Sequence, residues 1–107
     1  MTDTISRQSS SRKTGYIVVT YRVHKEDDQF VSVCPELGTA SCGDSVDEAF
    51  GNIEEATIQY LAAIAENGER DRVFRKRNIP IYPAKPDQPR LVDAGNRDFV
   101  TTTALAV

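Results

Sequence analysis

Two cysteines, Cys34 and Cys42, stand eight residues apart, and the chain's single histidine, His24, precedes the first of them by ten. A thiol beside an imidazole is a nucleophile pair, and thiols with imidazole are zinc ligands. The spacing serves neither well. Zinc sites use C-x₂₋₄-C knuckles or four ligands in total, and two Cys and one His fall short, so no metal and no cofactor is expected. If Cys34 closes the second strand of a hairpin and His24 sits near its turn, most of a strand separates them. Cys42, at the end of a third strand, returns to the turn side. A Cys42–His24 approach across the middle strand is therefore conceivable, but no third group stands ready to orient the imidazole. A Cys34–Cys42 disulfide across the second hairpin is the geometric alternative to two free thiols, and a reducing compartment favours the thiols.

Carboxylates are the other candidates. Asp27-Asp28, Asp47-Glu48 and Glu54-Glu55 are adjacent pairs. Metal-dependent phosphoryl transfer needs acids converging from strand interiors, and the strand-like segments here contain none. No catalytic residues are assigned, and the chain is not expected to be an enzyme. The basic run Arg70, Arg72, Arg75, Lys76 and Arg77 can contact phosphates. It lacks interleaved aromatics, so a solvated helix face is the competing reading and nucleic-acid binding a minor one. Gly-Thr-Ala-Ser-Cys-Gly lacks the Lys-Ser/Thr of a phosphate-binding loop.

The elements that must position these residues follow from pattern. Tyr16 to Val23 is dense in β-branched and aromatic residues, with Ile17, Val19, Tyr21 and Val23 on one face. Lys-Glu-Asp-Asp-Gln reads as a turn and Phe30 to Cys34 as an antiparallel second strand. Pro35 ends that ladder because it has no N–H. Glu-Leu-Gly turns the chain into a short third strand, Thr-Ala-Ser-Cys. Ser45 followed by Glu48 is a capping box. Val46, Ala49, Phe50, Ile53, Ala56, Tyr60, Leu61 and Ile64 recur at helical spacing, which predicts a helix over 45–67 that stops at Asn67-Gly68. Val73 and Phe74 can anchor a short second helix. Ile-Pro-Ile-Tyr-Pro reads as a brief fourth strand.

The predicted class is α+β: a three-stranded antiparallel meander, one long helix on one face, and a fourth strand beside strand one, giving the order 3-2-1-4. A fourth strand parallel to strand one would need a right-handed crossover. Residues 1–14 read as a disordered polar arm, 15–83 as the domain, and 84–107 as a proline-containing linker with a strand-like tail, Asp-Phe-Val-Thr-Thr-Thr-Ala-Leu-Ala-Val. That tail either docks on its own domain or pairs at a sheet edge with another chain.

At 107 residues one domain is expected. No apolar run approaches the ~20 residues of a membrane span, and no secretory leader pattern opens the chain, so a cytoplasmic protein is expected. The net charge of −3 is unevenly laid out: eleven acidic residues and no Lys or Arg lie between Glu26 and Glu69. Such a block either keeps a small protein soluble or attracts a basic partner. Asp27, Asp28, Glu36, Asp47 and Glu54 are the candidate partner-binding residues.

The ordered combination of motifs resembles the HicB-like antitoxin family. The resemblance spans about residues 16–83. It rests on Phe30, Val31, Val33, Pro35, Glu36 and Leu37, then Gly43, Asp44, Ser45, Glu48 and Ala49, then Asn52, Ile53, Glu55, Ala56, Tyr60 and Leu61. It implies a partial RNase H-like β-β-β-α-β fold without that fold's catalytic acids. It further implies an antitoxin that masks a small basic HicA-type RNA-cleaving toxin, and a homo-oligomer of at least two copies. Many members carry a C-terminal DNA-binding helix pair. Residues 84–107 show no such pattern, which makes DNA binding by this chain doubtful. A HicB-like oligomeric interaction module without a toxin is the alternative.

Overall fold

The computed structural model describes residues 15–86, 91–93 and 98–107. The arm predicted over residues 1–14 lies outside them. The chain builds strands β1 (Tyr16–Glu26), β2 (Gln29–Cys34) and β3 (Thr39–Gly43), helices α1 (Val46–Glu66) and α2 (Arg70–Lys76), and strands β4 (Leu91–Asp93) and β5 (Phe99–Ala106). The predicted α+β class holds: an antiparallel meander, a long helix on one face of the sheet, and a further strand beside β1. The sheet has one strand more, in the order β3-β2-β1-β5-β4.

Which segment flanks β1 differs from expectation. Ile-Pro-Ile-Tyr-Pro contributes a single antiparallel bridge, Tyr16 to Tyr82. Pro80 and Pro83 lack the N–H groups that a ladder needs. The place beside β1 belongs instead to the tail, β5, which pairs with it antiparallel from Tyr16↔Ala106 to Val23↔Phe99. β4, a short strand within the segment read as a linker, forms a hairpin with β5 and runs in the direction of β1 on the sheet's outer edge. The tail is thus a strand of its own sheet, paired with β1 along its length and with β4 over Phe99 to Thr101.

Alternation sets the core. Ile17, Val19, Tyr21 and Val23 of β1 and Ser32 and Cys34 of β2 are buried on the helix side. α1 meets them with Ala49, Ile53, Thr57 and Ile64, and Leu37, Phe74, Ile79, Leu105 and Val107 close the ends of the core. The helix starts as predicted: Ser45 Oγ accepts the Glu48 N–H at 3.1 Å. The Glu48 carboxylate reaches back to the N–H of Asp44, one residue beyond the usual capping-box donor. Asn52 Nδ2 donates to the Cys42 carbonyl at 2.8 Å and ties the first turns of α1 to β3. Gly43 lets this happen: a Cβ there would stand 2.7 Å from Ala49 N. The opposite sheet face has no helix over it among the described residues, and Val18 is 37% exposed there. None of the helices described is long and apolar enough to cross a membrane.

Candidate functional site

The acidic candidates divide into three locations. Asp27 and Asp28 form the two-residue turn between β1 and β2. Phe30 pairs with Gly43, so the start of α1 lies at that same end of the sheet. Asp27, Asp28 and Asp47 are exposed there, together with Glu26, Asp44 and Glu48. Glu36 lies at the opposite end, two residues past the last residue of β2. At about 3.3 Å per residue it is a whole strand away. Glu54 sits in mid-helix, on the flank of α1 that faces β5.

Glu36 is committed within the fold. β2 stops at Cys34, so the next N–H of β1 on that side, Thr20, has no ladder partner. Glu36 supplies it: Oε1 accepts from Thr20 N at 2.9 Å and Oε2 from the Thr20 hydroxyl at 2.7 Å. Cys34 Sγ lies 3.8 Å from Oε1. Arg77 Nη1 donates to the Glu36 backbone carbonyl at 3.5 Å.

The basic run is also partly used. Arg70 bonds to Asp71 at 3.1 Å, with its guanidinium 5.9 Å from the centre of the Phe74 ring. Arg72 pairs with Glu69 at 3.5 Å. Arg77 lies over the β2–β3 turn beside Gly38. Arg75 and Lys76 extend from α2 without an ion-pair partner among the described residues.

Cys34 and Cys42 are both free thiols. They lie on opposite faces of the sheet, Cys34 buried under α1 and opposite Thr39, Cys42 exposed and opposite Val31. A cross-strand disulfide between them is excluded by this register. His24 also pairs with Val31, so His24, Val31 and Cys42 form one transverse row on the open face. Two strand spacings, about 10 Å, separate the imidazole from the thiol. That is too far for proton transfer between them. Burial pushes the Cys34 thiol above its ordinary pKa, with the Glu36 carboxylate adding to the shift against donors around the sulfur. A thiol so placed is a packing residue rather than a nucleophile. Among the described residues no group of three His, Cys, Asp or Glu side chains could hold a metal ion.

One feature was not anticipated from residue types. α1 covers β1, β2 and β3 but stops short of β5, which leaves a cleft of about 200 Å³ along its flank. Phe50, Gly51 and Glu54 form the helix wall, Thr101 and Thr103 the sheet wall, and Tyr21 lies at the base. Tyr21 is 3% exposed, and its hydroxyl makes no hydrogen bond with a described residue. Thr57 stands near it, but the Thr57 hydroxyl is bonded to that of Thr39 at 2.8 Å. Burial, and then the Glu54 carboxylate, push the Tyr21 phenol far above its usual pKa, while Thr57 offsets a little of that rise. The sequence offered no local signal for this cleft: Gly51 interrupts an otherwise strong helix pattern, but it is exposed and its Cβ position faces open space.

No family model, curated protein or solved structure matches this chain. The likeness to HicB-like antitoxins therefore rests on the residues quoted above.

Proposed function

We propose that this protein is a binding module that engages a small, basic partner, in the manner of a HicB-like antitoxin masking a HicA-type RNA-cleaving toxin. The observation that carries the reading is the gathering of Glu26, Asp27, Asp28, Asp44, Asp47 and Glu48 at one end of the sheet, within a stretch from Glu26 to Glu69 that has no Lys or Arg. A basic RNA-gripping surface is the natural complement of such an end. Charge of this kind speeds encounter and selects partners more than it adds affinity. Masking needs no chemistry from the chain itself.

The test is co-expression with the protein encoded by the adjacent reading frame. A stable complex, with RNA cleavage by the partner suppressed, is the expected result. Failure to capture any basic partner at low ionic strength would overturn the reading. The uncovered sheet face, with Val18, Val31, Val33 and Val100, favours a second reading as a self-associating interaction module. The co-expression experiment separates the two, since a toxin-free module self-associates, as sedimentation of the isolated chain would show, but captures no basic partner.

A further inference from the structure

β5 has two edges, and only the one facing β1 is used along its whole length. Gly15 and Val107 exchange two backbone bonds, so Val107, Leu105 and Thr103 bond inward to β1. Thr102, Ala104 and Ala106 therefore turn their N–H and C=O groups to the opposite edge. β4 reaches only Phe99, Val100 and Thr101 there, and among the described residues no strand stands against the other three. Open edges are ordinarily guarded by charged side chains, proline or a bulge, yet residues 99–107 contain no charged residue and no proline. Beside the same stretch, on the helix side, runs an apolar groove of about 260 Å³. Ile58, Leu61 and Ala62 of α1 line it, with Leu105 and Ala106 of β5. Ile58 is 50% exposed. An unpaired ladder with an apolar groove along it is the form of a strand-addition site: backbone bonds hold the added strand, and the groove takes one of its side chains.

We propose that the strand added here is β5 of a second copy of this chain, antiparallel to the first about a two-fold axis normal to the sheet. Paired residues must share a face, so registers differ by steps of two. A register that set the second Val107 opposite Thr101 would meet Leu91, which already pairs there. The next one sets Leu105 against Leu105 at the axis. Ala104 of each copy then pairs with Ala106 of the other, and each such pair exchanges both of its backbone bonds. On the helix side each Leu105 enters the groove of the other copy and meets Ile58 and Leu61. The occupant has to be extended, small in its side chains and uncharged, and β5 is itself such a strand. A basic strand would lay its cations on Ile58, Leu61 and Leu105, and residues 1–14 offer no apolar run. The contact strip is short, at the low end for protein interfaces, so affinity of about micromolar or weaker is expected. Both acidic hairpin ends point away from the axis and stay open. The inference therefore goes beyond the reading of a basic partner and does not depend on it.

Sedimentation equilibrium of the full chain over a concentration series reads the association, and a monomer–dimer equilibrium is expected. Ala104→Pro removes an outward N–H and none of those that bond β1. Its thermal melt should stay cooperative while the dimer weakens at least about tenfold. Ile58→Glu places a charge in the groove from an exposed helix position and should weaken the dimer by a similar factor; if A104P does not fold, I58E and the following crosslink decide in its place. Ala104→Cys and Ala106→Cys chains, both carrying Cys42→Ser, are mixed and oxidised. The mixture should form a covalent dimer, because the two positions face each other at about 5.5 Å, and neither variant alone should do so. Val18→Lys, on the open sheet face, should leave the dimer as it is. A chain that is monomeric at every concentration, a folded A104P that dimerises like the parent, a mixture that crosslinks no better than its components, or a dimer dissolved by V18K but not by I58E would each overturn the proposal. Its failure is separable from that of the partner reading. A basic partner captured by a monomeric chain removes the edge dimer and leaves the binder. A dimer of this register with no partner captured does the reverse.

Discussion

The carboxylate of Glu36 finishes a ladder that the backbone cannot. Pro35 stops β2, Thr20 is left facing empty sheet, and two hydrogen bonds from one side chain close the gap at 2.9 and 2.7 Å. In sequence, Pro-Glu-Leu-Gly reads as a turn and its acid as surface charge. Nothing local shows that the turn folds back over β1, so this role was not legible. It leads to a stability prediction. Glu36→Ala orphans a part-buried N–H and should cost about 2 kcal/mol. Glu36→Gln keeps an acceptor oxygen and should cost about half of that, roughly 1 kcal/mol. Urea titration of both variants checks the order, and equal losses would mean that the turn, not the hydrogen bonds, carries the effect. Tyr21 and Cys34 set the alkaline limit. Both groups hold their protons more tightly folded than unfolded. Above their ordinary values of 10.0 and 9.0 the unfolded chain releases protons that the folded chain keeps. Stability is therefore full below about pH 9 and falls as pH rises, by up to about 1.4 kcal/mol per unit for each group. Tyr21→Phe should flatten the part of the decline above pH 10, read from thermal melts across an alkaline series.

The elements separate into those coded locally and those decided at a distance. α1 begins at its capping serine and ends at Asn67-Gly68 because cap, stripe and stop all agree. The first strand runs three residues past Val23, to Glu26, because the turn is only Asp27-Asp28 and Lys25 and Glu26 pair with Phe30 and Gln29. Polar composition hid those pairs. β5 was legible as a strand but not in place, since its neighbour is set by ladder length: eight residues against β1, where Ile-Pro-Ile-Tyr-Pro can offer one bridge. Gly15 and Val107 exchange two backbone bonds, so Thr103, two pairs further in at even spacing, also bonds directly to β1 at Val19. Thr103→Pro should then break the β1–β5 ladder and destabilise by about 3 kcal/mol or more, while Thr103→Val should stay close to the parent. Chemical denaturation of the pair tests whether β5 belongs to the cooperative fold. Gly43→Ala probes the other side of the sheet. Its Cβ would press on backbone, at 2.7 Å from Ala49 N and 3.0 Å from Glu48 C, so β3 and α1 must part. A loss of about 2 kcal/mol is expected, seen as a lower melting temperature.

At the scale of the whole molecule, charge rather than shape was the feature most readable from sequence, and folding redistributed it. A block that looks continuous between Glu26 and Glu69 becomes an acidic end, one structural acid at the far end, and Glu54 beside the helix–sheet cleft. α2 carries the basic residues near Glu36, away from the acidic end. The chain is thus polarised along the sheet, and a basic partner approaching by diffusion should be steered to the hairpin end first. Neutralisation tests this more cleanly than reversal. Asp27 has φ 56, a left-handed conformation that Asn tolerates and long side chains do not. The triple variant Asp27→Asn, Asp28→Asn and Asp47→Asn removes three exposed charges whose carboxylates make no hydrogen bond or ion pair among the described residues, so the fold should survive. Its association rate with the partner should fall by about tenfold at low ionic strength, with the dissociation rate little changed. At high salt parent and variant should converge, because charges more than a few ångströms apart are then screened. Stopped-flow mixing at two ionic strengths reads both rates. A variant that associates as fast as the parent in low salt would make the acidic end a solubility feature.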